Sequence, residues 1–200
     1  LKKAFEEKNE KRIILNAGLN PREGKYHATA CNACYAQFPI EKARMLNWKC
    51  VQCNGTIKRG VRDRILELAN GDKTEKHPNF RPPYKHMLPL AEIIQITTGA
   101  KDVTSDGVQN TWKQFVHGFG NEITVLLETP IGELKKIDEK VAQSIDSFRS
   151  GFVVYFPGGG GKYGTPYICH SEEEKARLQT KIDQGKHPSQ QKSQKSLMEF

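Results

Sequence analysis

Apolar side chains recur at helical spacing in several stretches of the chain. Val61, Ile65, Leu66 and Ala69 form one such stripe, with Gly71 as a C-terminal stop. Pro89 suits the first turn of a helix carrying Leu90, Ile93 and Ile94. Val108, Trp112, Phe115, Val116 and Phe119 share one face of a helix whose expected N-cap is Ser105. A helix from Asp138 to Arg149 presents Val141, Ala142, Ile145 and Phe148. Ser171 and Glu174 make a capping box that opens a last helix through Leu178 and Ile182, ended at Gly185. The apolar run 122–127 (EITVLL) is open between strand and buried helix. Two β-like runs, Phe152–Phe156 and Pro166–Cys169, are joined by PGGGGKYGT and predict a hairpin with a flexible tip.

Between these elements, residues 1–14 read as a charged helical lead-in, 15–30 as loop and 72–86 as a proline-broken connector. Residues 186–196 are polar and low in complexity, so disorder is expected there. The pattern predicts a mainly α chain with a small four-cysteine zinc ribbon and a β-hairpin, an α+β class overall. Four segments follow: lead-in helix and loop (1–30), four-cysteine module with a basic helix (31–71), helical region with the glycine-rich hairpin (72–185) and tail (186–200).

Composition changes this picture in one respect. The 200 residues carry 31 Lys+Arg against 23 Asp+Glu, a formal charge of +8 that favours polyanionic partners without choosing among DNA, RNA and lipid. A merely solvated basic surface is the alternative. No run of eighteen apolar residues is present to cross a bilayer, and no signal-peptide pattern is visible, so a cytoplasmic setting is expected. The first residue is Leu1 rather than Met, which points to a piece of a longer chain.

The strongest chemistry lies in Cys31, Cys34, Cys50 and Cys53. Two C-x2-C pairs separated by fifteen residues match the two-knuckle pattern of a metal site. Each pair aims two sulfurs at one ion, and two pairs complete a tetrahedral thiolate shell with Zn–S distances of about 2.3 Å. Such a closed shell is structural rather than catalytic. Gly55 is expected to supply a positive φ after the second pair. Iron in the same cage, disulfides and chance spacing are the alternatives. Tyr35, Phe38 and Trp48 are expected to pack a small core around the knuckles, with base stacking as the functional alternative.

Lys58, Arg59, Arg62 and Arg64 follow immediately, a basic cluster suited to phosphate contact or to a solvated helix face. The stretch 129–151 resembles a helix-hairpin-helix module, which makes Lys140 and Arg149 further candidates. Its turn carries Asp138-Glu139-Lys140 in place of glycines, and a purely structural helix pair is the alternative. Gly158–Gly161 with Lys162 form a candidate phosphate cradle, or a plain flexible turn. The six histidines are scattered, and no catalytic constellation is visible. In the tail, Gln194, Leu197, Met198 and Phe200 resemble the short peptide by which repair proteins dock on a sliding clamp, against the alternative of a frayed terminus.

Several longer segments carry a family resemblance: GLNPREGKYH (18–27), the cysteine knuckles, GVRDRILELA (60–69), RPPYKHMLPLAEII (81–94), FGNEITVLLETPIGEL (119–134) and VVYFPGGGGKYGTPYI (153–168). Together they resemble the endonuclease Q family of DNA repair enzymes, which nick DNA at deaminated bases such as uracil and hypoxanthine. The resemblance implies an amino-terminal PHP-type nuclease barrel, a zinc module whose ligands are Cys31, Cys34, Cys50 and Cys53, and carboxy-terminal DNA-contacting regions. The His- and Asp-rich motifs of the barrel are missing from this sequence. The expectation is therefore a zinc-containing, DNA-binding portion without its own nuclease site, Mg²⁺ or Mn²⁺ belonging to a PHP domain in cis or in trans. A zinc-ribbon module recruiting a sliding clamp is the alternative.

Overall fold

The computed structural model describes residues 13–69 and 78–184. Most of the expected lead-in helix, the stops at Gly71 and Gly185, and the clamp-like peptide of Gln194, Leu197, Met198 and Phe200 lie outside the described residues. The chain divides into two compact units, Leu1–Met87 with Pro157–Gly164, and Leu88–Phe156 with Thr165–Phe200.

In unit 1 the described residues form strands β1 (Asn16–Leu19), β2 (Ala30–Cys31), β3 (Ile57–Lys58) and β4 (Tyr84–Met87), and helices α1 (Ile40–Met45) and α2 (Val61–Leu68). β1 pairs in parallel with β4, Asn16 opposite Tyr84 and Leu19 opposite Met87. Both strands fall in stretches expected to be loop and connector. Neither shows a readable alternation, and a parallel ladder draws its hydrogen bonds from a partner far along the chain, which no local pattern announces. β2 and β3 pair antiparallel and bring the two cysteine knuckles together. Beneath them Cys31, Phe38, Ala43, Cys50 and Ile57 are buried, with Trp48 packed against the cluster. Phe38 and Trp48 thus join the small core expected of them, whereas Tyr35 stays 46% exposed.

Unit 2 is helical: α3 (Leu90–Thr98), α4 (Asp106–Phe119), α5 (Glu122–Leu127), α6 (Ile131–Leu134), α7 (Glu139–Arg149) and α8 (Glu172–Asp183), with strands β5 (Val153–Phe156) and β6 (Thr165–Ile168). Its core holds Leu90, Ile93, Phe115, Leu126, Val141 and Ile145, all essentially inaccessible to solvent. The open segment 122–127 is a helix. Asn121 caps it by accepting the Thr124 amide at 3.0 Å, and Val125 and Leu126 fall on its buried side. Ser105 precedes α4 as expected but makes no side-chain cap; its hydroxyl donates instead to the Asp102 carbonyl at 2.9 Å. Ser171 does cap α8, while the Glu174 carboxylate reaches one residue further back, to the His170 amide at 2.9 Å.

β5 and β6 form the antiparallel hairpin that their sequences predict. The glycine-rich connection Pro157–Gly164 clusters with unit 1, although the sequence segmentation grouped it with the helical region. Among the described residues, no helix is long and apolar enough to cross a membrane.

Candidate metal centre and nucleic-acid interface

The four knuckle sulfurs lie within 4.8 Å of one another, with Cys31 and Cys53 3.5 Å apart and Cys34 and Cys50 3.6 Å apart. These are free thiols, far beyond the S–S bond length of about 2.05 Å. The two knuckles share one local geometry. Cys31 Sγ accepts the Ala33 amide at 3.3 Å, and Cys50 Sγ accepts the Gln52 amide at 3.4 Å. The residue after each second cysteine is left-handed, Tyr35 at φ 61° and Asn54 at φ 57°. Its amide returns to the carbonyl of the first cysteine, at 3.1 Å in one knuckle and 2.9 Å in the other.

Gly55 therefore does not supply the positive φ expected of it; Asn54 does. Gly55 is needed for space, because a Cβ there would sit 2.9 Å from Cys31 Sγ and 3.2 Å from Cys53 Sγ. Four thiols this close cannot all ionise unless a cation is bound. Burial opposes ionisation of Cys31, but hydrogen bonds from the Cys34 and Ala33 backbone and from neighbouring thiols bring it down to about 6. Cys34 moves the other way: the Ala36 amide favours its thiolate, yet burial and the surrounding sulfurs push it up to about 12. Four converging sulfur donors fit a tetrahedral thiophilic ion. Among the described residues no other group of three His, Cys, Asp or Glu side chains is close enough to share a metal.

The glycine-rich loop is not a free tip. The amides of Gly158, Gly161 and Gly164 donate to the carbonyls of Arg22, Lys25 and Glu23 at 2.8–2.9 Å, and Gly158 O accepts the Ala28 amide at 2.8 Å. Gly159 and Lys162 exchange backbone bonds at 3.0 and 3.1 Å. A Cβ at Gly160 would lie 2.1 Å from the Cys31 carbonyl oxygen, and one at Gly158 2.5 Å from the Gly24 carbonyl oxygen. These glycines let two backbones touch. The expectation of a mobile tip, and of a phosphate cradle built from its amides, is corrected accordingly. Lys162 Nζ lies 6.0 Å from the centre of the Tyr35 ring.

The basic residues after the second knuckle are organised in two ways. Arg62 pairs with Asp63 at 3.0 Å. Arg59 and Arg64 both converge on Glu67, at 2.8 and 2.6 Å, and Arg44 from α1 joins them at 2.8 Å. Lys58 lies exposed beside buried Ile57 on β3. Arg44, Asp63 and Glu67 escaped the sequence reading. The spacing of Arg64 and Glu67 was a legible hint, but nothing local announces Arg44. On its other side α2 exposes Val61, Ile65 and Leu66, three residues of the apolar stripe seen at helical spacing in the sequence. With Tyr26 and Tyr163 they line a groove of about 490 Å³. Lys25 Nζ lies 5.8 and 5.6 Å from the centres of those two tyrosine rings.

In unit 2, Lys140 is exposed on the first turn of α7. The turn between α6 and α7 has its amides already engaged: Lys136 donates to Glu133 O, and Ile137 and Asp138 to Leu134 O. Asp138 itself caps α7, accepting the Val141 amide at 2.9 Å. Arg149 donates to the Leu126 and Val125 carbonyls at 2.9 and 2.8 Å, closing the C-terminal end of α5.

A family model described as the MJ0043 C-terminal domain matches residues 89–152. Protein MJ0043 of Methanocaldococcus jannaschii is 50% identical over 153 residues, covering 76% of this chain and 19% of that protein. Protein YqxK of Bacillus subtilis is 34% identical over 163 residues, covering 80% and 37%. Among solved structures, the lesion-specific endonuclease PfuEndoQ of Pyrococcus furiosus superposes with a TM-score of 0.72 at 47% identity, over 84% of this chain and 41% of that one. An endonuclease Q complex with a 27-mer duplex carrying an abasic lesion at its active site gives 0.74 at 46% identity, over 86% and 42%. The chain spans less than half the length of each of these proteins. Over the segment it shares with them, the chain is similar to endonuclease Q in both sequence and fold.

Proposed function

We propose that this chain is the zinc-containing, DNA-holding part of a repair endonuclease acting at deaminated bases. Cys31, Cys34, Cys50 and Cys53 bind one structural zinc. Lys58, Arg59, Arg62 and Arg64 meet the phosphate backbone, with Lys140, Arg149 and Lys162 as further contacts from the helical region and the glycine-rich loop. A PHP domain, in cis or in trans, supplies the Mg²⁺- or Mn²⁺-dependent cutting. The observation that carries this reading is the juxtaposition of a four-thiolate knuckle pair with an arginine-rich helix, in a chain 46% identical to an endonuclease Q solved with duplex DNA. Zinc is favoured over iron because a closed four-thiolate shell serves folding and asks for no redox chemistry.

The test is binding of the chain to uracil-containing, unmodified and single-stranded DNA across a salt series, with nicking assayed in the same samples after Mg²⁺ or Mn²⁺ is added. Salt-sensitive binding without nicking is expected, the slope of log K against log salt falling by up to about 0.9 for each phosphate contact removed by mutation. Absence of binding at low salt overturns the reading. A separate contact with a sliding clamp through Gln194, Leu197, Met198 and Phe200 is proposed from the tail sequence. Removing residues 194–200 should abolish clamp capture and leave DNA binding intact.

A further inference from the structure

We infer that Glu67 is a positioning residue for DNA, gathering Arg44, Arg59 and Arg64 into one phosphate-binding cluster, so that this acid raises DNA affinity. The inference rests on the DNA-binding reading above. Arg44 reaches Glu67 Oε1 at 2.8 Å, while Arg59 and Arg64 share Oε2 at 2.8 and 2.6 Å. The arginines arrive from three places: α1, the residue after β3, and the first turn of α2.

Three guanidiniums brought this close repel one another unless an anion stands between them. Glu67 supplies that anion, and its carboxyl is held below the usual range, first by the hydrogen bond from Arg64 and then by the charges of Arg59, Arg64 and Arg44. Three positive charges around one negative leave the cluster at +2. The side chains of Arg44, Arg59 and Arg64 remain 52%, 37% and 49% exposed, each with only one nitrogen engaged by the carboxylate. A phosphodiester carries one negative charge on two free oxygens, which suits the donors left on two neighbouring forks.

A purely structural account explains less. Exposed ion pairs contribute little to stability, and holding three arginines on one carboxylate costs side-chain entropy. That ordering is useful if a polyanion binds next. Each long side chain already held in place spares the complex an ordering cost of roughly two- to tenfold in affinity.

The experiment compares duplex-DNA binding by the full chain and its Glu67→Gln, Glu41→Gln and Arg44→Ala variants across a salt series, with thermal melting of each. Glu41 is exposed on the first turn of α1, one turn before Arg44, and is not the carboxylate that gathers the arginines, so its variant removes one negative charge while Glu67 stays in place. If only net charge mattered, both glutamine variants would bind more tightly. The inference expects Glu41→Gln to bind as the parent or slightly better. Glu67→Gln should weaken binding about fivefold and flatten the salt slope by about 0.9, one phosphate contact. Arg44→Ala should weaken binding by about threefold, a gentler change that serves as the test if Glu67→Gln melts early. A parent chain that binds, with Glu67→Gln binding as well or better and Arg44→Ala unchanged, overturns the inference and leaves the DNA reading standing. A parent chain that does not bind overturns both.

Discussion

Asp63 accepts a hydrogen bond from the Thr29 hydroxyl at 2.5 Å, and that hydroxyl accepts the Gly60 amide at 2.8 Å. Both side chains are buried, although α2 otherwise turns a largely exposed surface to solvent. This short relay, more than apolar packing, fastens the first turn of α2 to the strand region that carries the first knuckle. Asp63→Ala would leave the buried Thr29 hydroxyl without its acceptor and should cost about 1–3 kcal/mol, read as a lower melting temperature. Asp63→Asn retains the shape and an acceptor, so it should cost less.

The glycines divide by surroundings. Gly160 has φ 66° and no room for a Cβ beside Cys31, so Gly160→Ala should destabilise by about 1–3 kcal/mol. Gly107 lies in the first turn of α4 with nothing within 4 Å of where a Cβ would stand, so Gly107→Ala should stabilise by about 0.4–1 kcal/mol. Denaturant titration of the two variants checks the opposite signs.

Metal content follows from the sulfur cluster. One equivalent of metal per chain is expected from elemental analysis, and none in Cys50→Ala. A strong chelator should change the fluorescence of Trp48, which packs on the knuckle core, while the far-UV helix signal, mostly from unit 2, changes little. Full helix loss on chelation would show that the two units do not hold their folds separately.

His27 gives a dependence on pH. Burial first, then the charges of Arg62 and Arg22, hold its imidazole below the ordinary value of 6.5. The unfolded chain therefore binds the proton at a higher pH than the folded chain does. The contribution of His27 to stability is present above 6.5 and is lost as pH falls toward the lower folded value. Melting temperatures across that window should drop toward acid, and His27→Gln should flatten the drop.

Four cysteines at x2 spacing announce a metal knuckle because the geometry is local: each pair needs one turn and no distant help. The same holds for α3, α4, α7 and α8, whose periodic apolar faces lie where the pattern predicts, since a helix closes its own hydrogen bonds. Residues 122–127 needed more, because an apolar run fits either state and only the Asn121 cap and burial on one side select the helix. The β1–β4 ladder, the stitched glycine loop and the arginines around Glu67 depend on partners tens of residues away. Gly160 reads as a flexible turn until Cys31 O is found against it, and Arg44 reads as solvated until α1 is folded beside Glu67. Sequence by itself determined the knuckle and most helices, because their bonds are made between near neighbours. Tertiary structure alone decided which amides were left free, which apolar stripe stayed exposed and which charges met, because those depend on what the fold brings up against each residue.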